Sequence, residues 1–392
     1  MSYKAIYSYA WDLVETGVSL AIDDFRALGL DTVTIAGSYH AGKFLRPHGK
    51  SGKVYFPEDG TAYFMSDASR YGAIKPIPNS LLDGHDVLRE LTNDGRVAVN
   101  VWLVLLHNTR LGMAHRNSVV RNAFGDPYFY NLCPSAPEAR AYARGLVKDV
   151  TENYLVAGVS IEALGFAPYA HGYHHEFALL RSNQWLENLL GLCFCDHCLE
   201  RAAASGIDAH RLKAQVAGDI EAYLASDIDY PADMAEAFWR ADIIADGDLR
   251  RYLDFRNHVV TSLAADIRAD VRSDANVAVI PSVARPTGGA WYEGSDLGAL
   301  GDATGIIEAC FYEPSPMRIR ADLFDIRRRI GKGVKLRGIV RPAFPDLETK
   351  DAVVAAVQTL REGSVEEFAF YNYGHLRRAN LDWIGAAMGA AQ

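Results

Sequence analysis

Glu162 closes a short β-branched run, Gly158-Val-Ser-Ile-Glu162, and is followed by Ala163-Leu164, so its carboxyl lies among hydrocarbon at the end of a predicted strand. A carboxyl placed this way loses hydration, holds its proton more tightly, and suits the protonation of a leaving group near neutral pH. Its structural alternative is an ion pair with an arginine such as Arg341. Hydrolysis of a glycosidic bond needs a second carboxyl, about 5–5.5 Å away as nucleophile or about 6.5–9.5 Å away to activate water. Glu313, Asp346 and Asp12 compete for that role, Glu313 standing at the end of a predicted sixth strand. Glu308, deeper in the same strand, reads as a buried structural partner. Asp12, His40, His107, His174, His175, Arg341, Asn372 and His375 are candidate substrate-binding groups, because they fall at predicted strand ends or in the loops just beyond. Trp11, Trp291 or Tyr373 would supply an apolar platform for a sugar ring.

Two clusters suggest metal chemistry. Cys193-Phe-Cys195-Asp-His-Cys198 brings three thiols close enough to share one tetrahedral ion. Cys133, in Asn131-Leu-Cys-Pro-Ser135, is the first choice for a fourth ligand, with His197 or Asp196 as the second. A closed site of this kind would hold a structural zinc and pin a long loop to its scaffold. The alternative is a set of reduced, buried thiols, and Cys310 reads as a small core residue. The other cluster, His171-Gly-Tyr-His-His-Glu176, can be read as sugar contacts or as an open metal site built from His171, His174 or His175 with Glu162 or Glu176. It lacks the His-Glu-x2-His spacing of zinc proteases. Gly288-Gly289 and Gly331-Lys-Gly333 lack the spacing of phosphate-binding loops, so no organic cofactor is expected.

These residues need a scaffold that gathers strand ends. Strands are predicted near Lys4–Tyr9, Thr32–Ala36, Val97–Leu105, Gly158–Leu164, Val277–Val283, Gly305–Tyr312, Lys335–Arg341 and Glu367–Asn372, alternating with helical segments. Ser135-Ala-Pro-Glu138 reads as a capping box opening a helix whose stripe is Ala139, Tyr142, Ala143, Leu146, Val147 and Val150. A second helix carries Ile319, Leu323, Ile326 and Ile330 on one face, with Arg327, Arg328 and Arg329 in its last turn and Gly331 as the stop. Eight such repeats predict an α/β fold, a (β/α)8 TIM barrel spanning residues 1–392 as one domain. Long insertions follow strands 2 and 4: a loop over 40–85 and a mainly helical stretch over 167–247 that carries the cysteines. In a barrel both fall on the face where substrate binds.

Composition narrows the partners. The formal charge is −9, from 40 Lys and Arg against 49 Asp and Glu, which argues against a nucleic-acid partner. The longest apolar run, Val97 to Leu106, contains Asn100 and is about half of the roughly 20 residues a membrane span needs. The N-terminus lacks the pattern of a secretory signal, and five clustered cysteines do not resemble a disulfide framework, so a cytoplasmic location is expected. A homo-oligomer is compatible with these features.

The Cys-x-Cys-x2-Cys run after the fourth strand, paired with an earlier cysteine after the third, resembles the zinc cluster of the family 42 glycoside hydrolases, the β-galactosidase barrels. Asn131-Leu-Cys-Pro-Ser-Ala-Pro-Glu138, Ile161-Glu-Ala-Leu-Gly165 and His171-Gly-Tyr-His-His-Glu176 are also similar to glycosidase-like barrel proteins of bacteria. The resemblance covers roughly residues 130–200 and the barrel. It implies an enzyme acting on a small sugar or glycoside, with Glu162 as acid/base. The chain departs from that clan by carrying Ile161-Glu162 where Asn-Glu is usual, and Arg341-Pro-Ala-Phe-Pro-Asp346, without a Glu, at strand seven. The clan's double-displacement mechanism therefore does not carry over. A metal-dependent sugar isomerase, epimerase or lyase and a non-catalytic sugar-binding barrel are the alternatives.

Overall fold

The computed structural model describes residues 3–171, 173 and 176–389. Eight parallel strands close on themselves: β1 (Lys4–Ser8), β2 (Thr32–Tyr39), β3 (Ala98–Val104), β4 (Gly158–Glu162), β5 (Asn276–Val279), β6 (Gly305–Cys310), β7 (Lys335–Val340) and β8 (Glu367–Phe370). Each pairs with its sequence neighbours, and Ala5 of β1 lies opposite both Thr32 of β2 and Ala369 of β8, which closes the ring. Closure removes the open edges of a parallel sheet and lets helices cover its outer face, which explains why the strands read as almost continuous apolar runs. The fold is the predicted (β/α)8 barrel with long insertions after β2 and β4.

Two local readings of the sequence need correction. Strand β4 stops at Glu162, not Leu164, because Ala163 takes a φ of 53°, a left-handed conformation that costs a residue with a Cβ about 1–2 kcal/mol. The turn that ends the strand therefore begins right after its carboxylate. The helix Pro137–Asn153 forms where expected and buries the whole predicted stripe, but no capping box opens it. Pro137 starts the helix, the Ser135 hydroxyl accepts from the Cys198 thiol at 3.2 Å, and the Glu138 carboxylate accepts the Ala73 N–H at 3.0 Å. The cysteine cluster and the first insertion have taken over the two side chains that would have made the box. The second predicted helix, Pro316–Arg329, is capped by Ser315 and ends at Ile330, one residue before Gly331.

Both insertions follow strand C-terminal ends. The first adds a hairpin of Phe44–Leu45 with Val54–Tyr55, and lays Thr61–Ala62 antiparallel against the end of β2. It is anchored by Arg46, which is 5% exposed, donates to Asp12 at 2.7 Å and to Glu15, and lies over the Tyr55 ring. The second contributes four helices, Gln184–Leu190, Asp196–Ala204, Ala209–Ala225 and Ala232–Ala245, ahead of the long helix Gly247–Asp270 that packs on the barrel. No helix among the described residues is long and apolar enough to cross a membrane.

Candidate active site

At the C-terminal mouth of the barrel, Glu162 and Glu293 line one small cavity of about 60 Å³, together with His40, His107, Asn131, His171 and Ser282. Glu162 is delivered by the end of β4. Its Oε2 accepts the Trp102 indole N–H at 2.6 Å, and no described group hydrogen-bonds Oε1. Trp102 comes from β3 and cannot swing away, because the rings of Tyr7, Tyr9, Tyr39 and Tyr371 surround it with centroids 5.0–6.0 Å distant. Burial pushes the Glu162 carboxyl up to about 7, and the indole donor opposes that shift only in part.

Glu293 reaches the cavity from the loop after β5. Gly165 makes this approach possible: a Cβ on it would stand 2.2 Å from the Glu293 carbonyl oxygen, and the adjoining Phe166 N–H donates to that oxygen at 2.9 Å. The loop is also held by Arg256, 1% exposed, which donates to the Tyr292 carbonyl at 2.7 Å and to the Gly191 carbonyl at 3.1 Å. The Ser282 hydroxyl donates to Glu293 Oε1. Burial pushes Glu293 up to about 7 as well, and the charge of Glu162 adds to the shift while Ser282 and Arg256 oppose it. Both carboxyls lining this cavity are therefore held toward their neutral forms by burial.

A larger chamber of about 450 Å³ lies beside it, with His40, His107 and His171 lining both. The His40 and His107 rings lie 4.5 Å apart, and His40 stacks on Tyr39 at 4.3 Å. The His40 Nδ1 lies 2.8 Å from the Ala41 carbonyl, an arrangement that places a proton on Nδ1. His174 and His175 lie outside the described residues.

The other residues singled out in the sequence are placed elsewhere. Glu313 is 2% exposed and ion-paired with Arg318, and Asp346 is ion-paired with both Arg285 and Arg341. Neither lines the cavity of Glu162, since each carboxylate turns to the guanidinium nearest it in the loops after β6 and β7. Arg341 in turn lies over the Tyr312 ring, 4.4 Å from its centroid. Trp11 is buried in an aromatic stack, 4.2 Å from Tyr9 and 4.8 Å from Tyr55, and Asp12 is committed to Arg46. Tyr373 is buried and donates to Asp24 at 3.1 Å, while Asn372 accepts the Gly374 N–H. His375 sits edge-on to Phe44 and Tyr9. These groups knit the first insertion to β1 and β8 and line neither chamber. Glu293, Ser282 and Trp102 were missed in the sequence. Trp102 looks like an ordinary core aromatic, and Glu293 is 14 residues beyond the end of β5, though its neighbour Trp291 was picked out.

The four cysteines do converge. Cys133, Cys193, Cys195 and Cys198 are buried, and their sulfurs all lie within 4.8 Å of one another, with Cys133 Sγ 3.8, 3.6 and 3.5 Å from the other three in that order. Metal–sulfur bonds of about 2.3 Å in a tetrahedron put sulfurs about 3.8 Å apart, so the donor set fits one thiophilic ion. Cys133 thus completes the set, while Asp196 points outward as an exposed residue of the adjoining helix. Backbone N–H groups of Ser135 and Arg121 approach Cys133 Sγ and Cys193 Sγ at 3.4 and 3.5 Å, as expected for sulfurs carrying negative charge. Cys310 is separate and buried in β6. Among the described residues the four cysteines are the one group of His, Cys, Asp and Glu whose ligand atoms gather this closely.

Barrel and mouth together define a (β/α)8 protein with a paired-carboxylate cavity at its C-terminal face. No known family's sequence model matches the chain, and no curated protein matches it. Solved structures do. The PgaB (BpsB) glycoside hydrolase domain of Bordetella bronchiseptica superposes with a TM-score of 0.62 at 13% identity over 99% of both chains. The catalytic domain of a β-amylase from Paenibacillus polymyxa gives 0.58 at 11% identity over 100% of both. An α-L-fucosidase, isoenzyme 2, from Paenibacillus thiaminolyticus gives 0.54 at 13% identity, and this chain, fully covered, spans about half (49%) of its length. At such identities the likeness establishes the fold, a glycoside hydrolase-like barrel, while the family 42 comparison rests on the cysteine spacing alone.

Proposed function

We propose that the protein is a glycoside hydrolase whose Glu162 and Glu293 form the catalytic carboxyl pair. The observation that carries this reading is the placing of both side chains in one cavity at the barrel's C-terminal mouth, each with one oxygen tied to a neighbour. Support comes also from the structural neighbours, whose names are those of enzymes acting on glycosides. With Oε2 held by Trp102, a proton on Glu162 Oε1 faces the cavity and can pass to the oxygen of the leaving group. Glu293, ionised and steadied by the Ser282 hydroxyl, then acts on the sugar's anomeric carbon directly or through a water. A proton shared between the two would supply what the reaction needs, one acid and one base at the same pH. The histidine wall would bind sugar hydroxyls, and Glu313 and Asp346, each neutralised by arginine, would shape the rim.

The thiolate site would hold zinc as a structural ion, with all four positions filled by sulfur and none open to substrate. Cys133 lies beside the start of the helix Pro137–Asn153 and the other three lie in the second insertion. The ion would therefore fasten to the barrel the segment that follows Glu162 and carries His171. The 40–85 and 167–247 stretches would belong to the single barrel domain as its mouth walls.

Replacing Glu162 with Gln tests the reading. The variant should fold normally and lose about 10³-fold in turnover of glycosides with poor leaving groups, with a much smaller loss on activated aryl glycosides that need no acid. Unchanged turnover of the poor substrates would remove Glu162 from the acid role.

A further inference from the structure

The larger chamber differs from the carboxyl-pair cavity in its chemistry. Asp59 and Glu176 stand in its lining beside His40, His107, His171 and Tyr173, and no described Lys or Arg lines either space. Asp59 comes from the first insertion, its Oδ1 accepting the Ala41 N–H at 2.9 Å; Glu176 comes from the loop after β4, its Oε1 accepting the Tyr173 N–H at 3.1 Å. Each therefore keeps one oxygen to which no described residue donates. A chamber of about 450 Å³ falls within the roughly 300–1,000 Å³ usual for small-molecule sites and has room for a sugar residue. It shares His40, His107 and His171 with the carboxyl-pair cavity, so a molecule bound between Glu162 and Glu293 has this chamber beside it. Asp59 and Glu176, beside a carboxyl pair that is only partly ionised near neutral pH and with no described Lys or Arg lining either space, repel an anionic sugar and attract a basic one.

We infer that this chamber is a second sugar subsite selective for a residue bearing a free amine, held between Asp59 and Glu176, so that the substrate is a basic amino-sugar glycoside of two or more units. The inference rests on the glycoside hydrolase reading for its placing beside the reaction, but it concerns binding and is tested by binding.

The experiment uses the full chain carrying Glu162→Gln, so that ligand is not consumed, and follows tryptophan fluorescence or heat on titration. Three trisaccharides are the probes: a β-1,4-linked glucosamine trimer, its fully N-acetylated and hence uncharged counterpart, and a galacturonate trimer. The glucosamine trimer should bind roughly five- to tenfold more tightly than the N-acetylated one, the range expected for one or two partly exposed charge-assisted contacts, and the galacturonate trimer most weakly. Adding Asp59→Asn and Glu176→Gln should bring the first two within about twofold, with the Ala41 contact retained because Asn keeps an acceptor; high salt should have the same effect. Equal or tighter binding of the N-acetylated trimer, or a preference that survives the double substitution in a folded protein, overturns the inference. A wild type that hydrolyses neutral glycosides without the amine preference removes the subsite and leaves the hydrolase. A wild type that shows the preference but cleaves no glycoside does the opposite.

Discussion

Glu308 and Glu162 both point into the barrel, and the protein treats them in opposite ways. Glu308, on β6 and 0% exposed, accepts from Tyr3 at 2.7 Å, Tyr7 at 2.9 Å and Ser160, with Arg337 4.0 Å away over the Tyr3 ring. Its lone pairs are spent on the scaffold, and the ring of partners joins β1, β4, β6 and β7. Glu162, the last residue of its strand, has one donor among the described residues and an open side toward a cavity. A carboxylate surrounded by donors is a structural member, whereas one left short of partners in a desolvated mouth holds a proton it can give away. The split places stability inside the barrel, on Glu308 within its strand, and chemistry at the C-terminal ends of the strands, where this fold carries its active sites.

The sharpest way to break the comparison is to make the same change at both residues. Glu162→Gln should lower turnover by about 10³-fold with little loss of stability, while Glu308→Gln should destabilise by about 2–4 kcal/mol, by removing the charge that faces buried Arg337 and replacing the oxygen that accepts from Ser160 with an amide NH2, with kcat of the folded fraction retained. Thermal unfolding and active-fraction kinetics on both variants check this, and a stable but inactive Glu308→Gln would invert the assignment. Next in size is the test of the proposed zinc site: a strong chelator, or Cys198→Ser, should release one zinc per chain and lower the Tm by about 10 °C or more, read by metal analysis and calorimetry.

A smaller effect sharpens the electrostatics. Burial raises the Glu293 carboxyl from its ordinary value to about 7, so folding favours its neutral form. That contribution is complete below about pH 4, where the unfolded chain is also protonated, and is lost as pH rises through 7. Glu293→Gln stays neutral throughout, so it should match wild type in stability near pH 4 and exceed it by about 1–3 kcal/mol at pH 8, measured by denaturant unfolding at the two pH values. Smallest of all, Trp102→Phe removes the donor that opposes the shift at Glu162, so the alkaline limb of the pH–rate profile should move upward. A downward move would show that the indole does not act on that carboxyl.

The barrel was legible because its signals are local and repeated. Runs such as Val97–Leu105 and Lys335–Arg341 are apolar and β-branched, and helices between them carry 3.6-residue stripes like Ala139 to Val150. Glu162 was legible because it ends such a run, and Cys133 because the three closely spaced thiols of Cys193, Cys195 and Cys198 call for a fourth ligand. Tyr373 and Asn372 follow a strand end but are turned back into the packing by contacts with Asp24 and Gly374, which only the tertiary structure sets. Glu293 was hidden for the converse reason. It comes from a short 3-10 segment, Thr287–Glu293, and reaches the mouth because Gly165 and Arg256 hold that loop, a long-range arrangement that leaves no period in the chain. Local pattern thus finds the first member of the pair and tertiary packing chooses the second.

The central claim is that Glu162 and Glu293 share one proton at the mouth and use it on glycosidic bonds. The direct measurement is the pH dependence of kcat/KM on a glycoside with a poor leaving group, for wild type and for Glu162→Gln. The account predicts a bell centred near pH 7 for the wild type, with activity reduced about 10³-fold and the alkaline limb gone in the variant. A variant that keeps the wild-type rate and the same bell would contradict it.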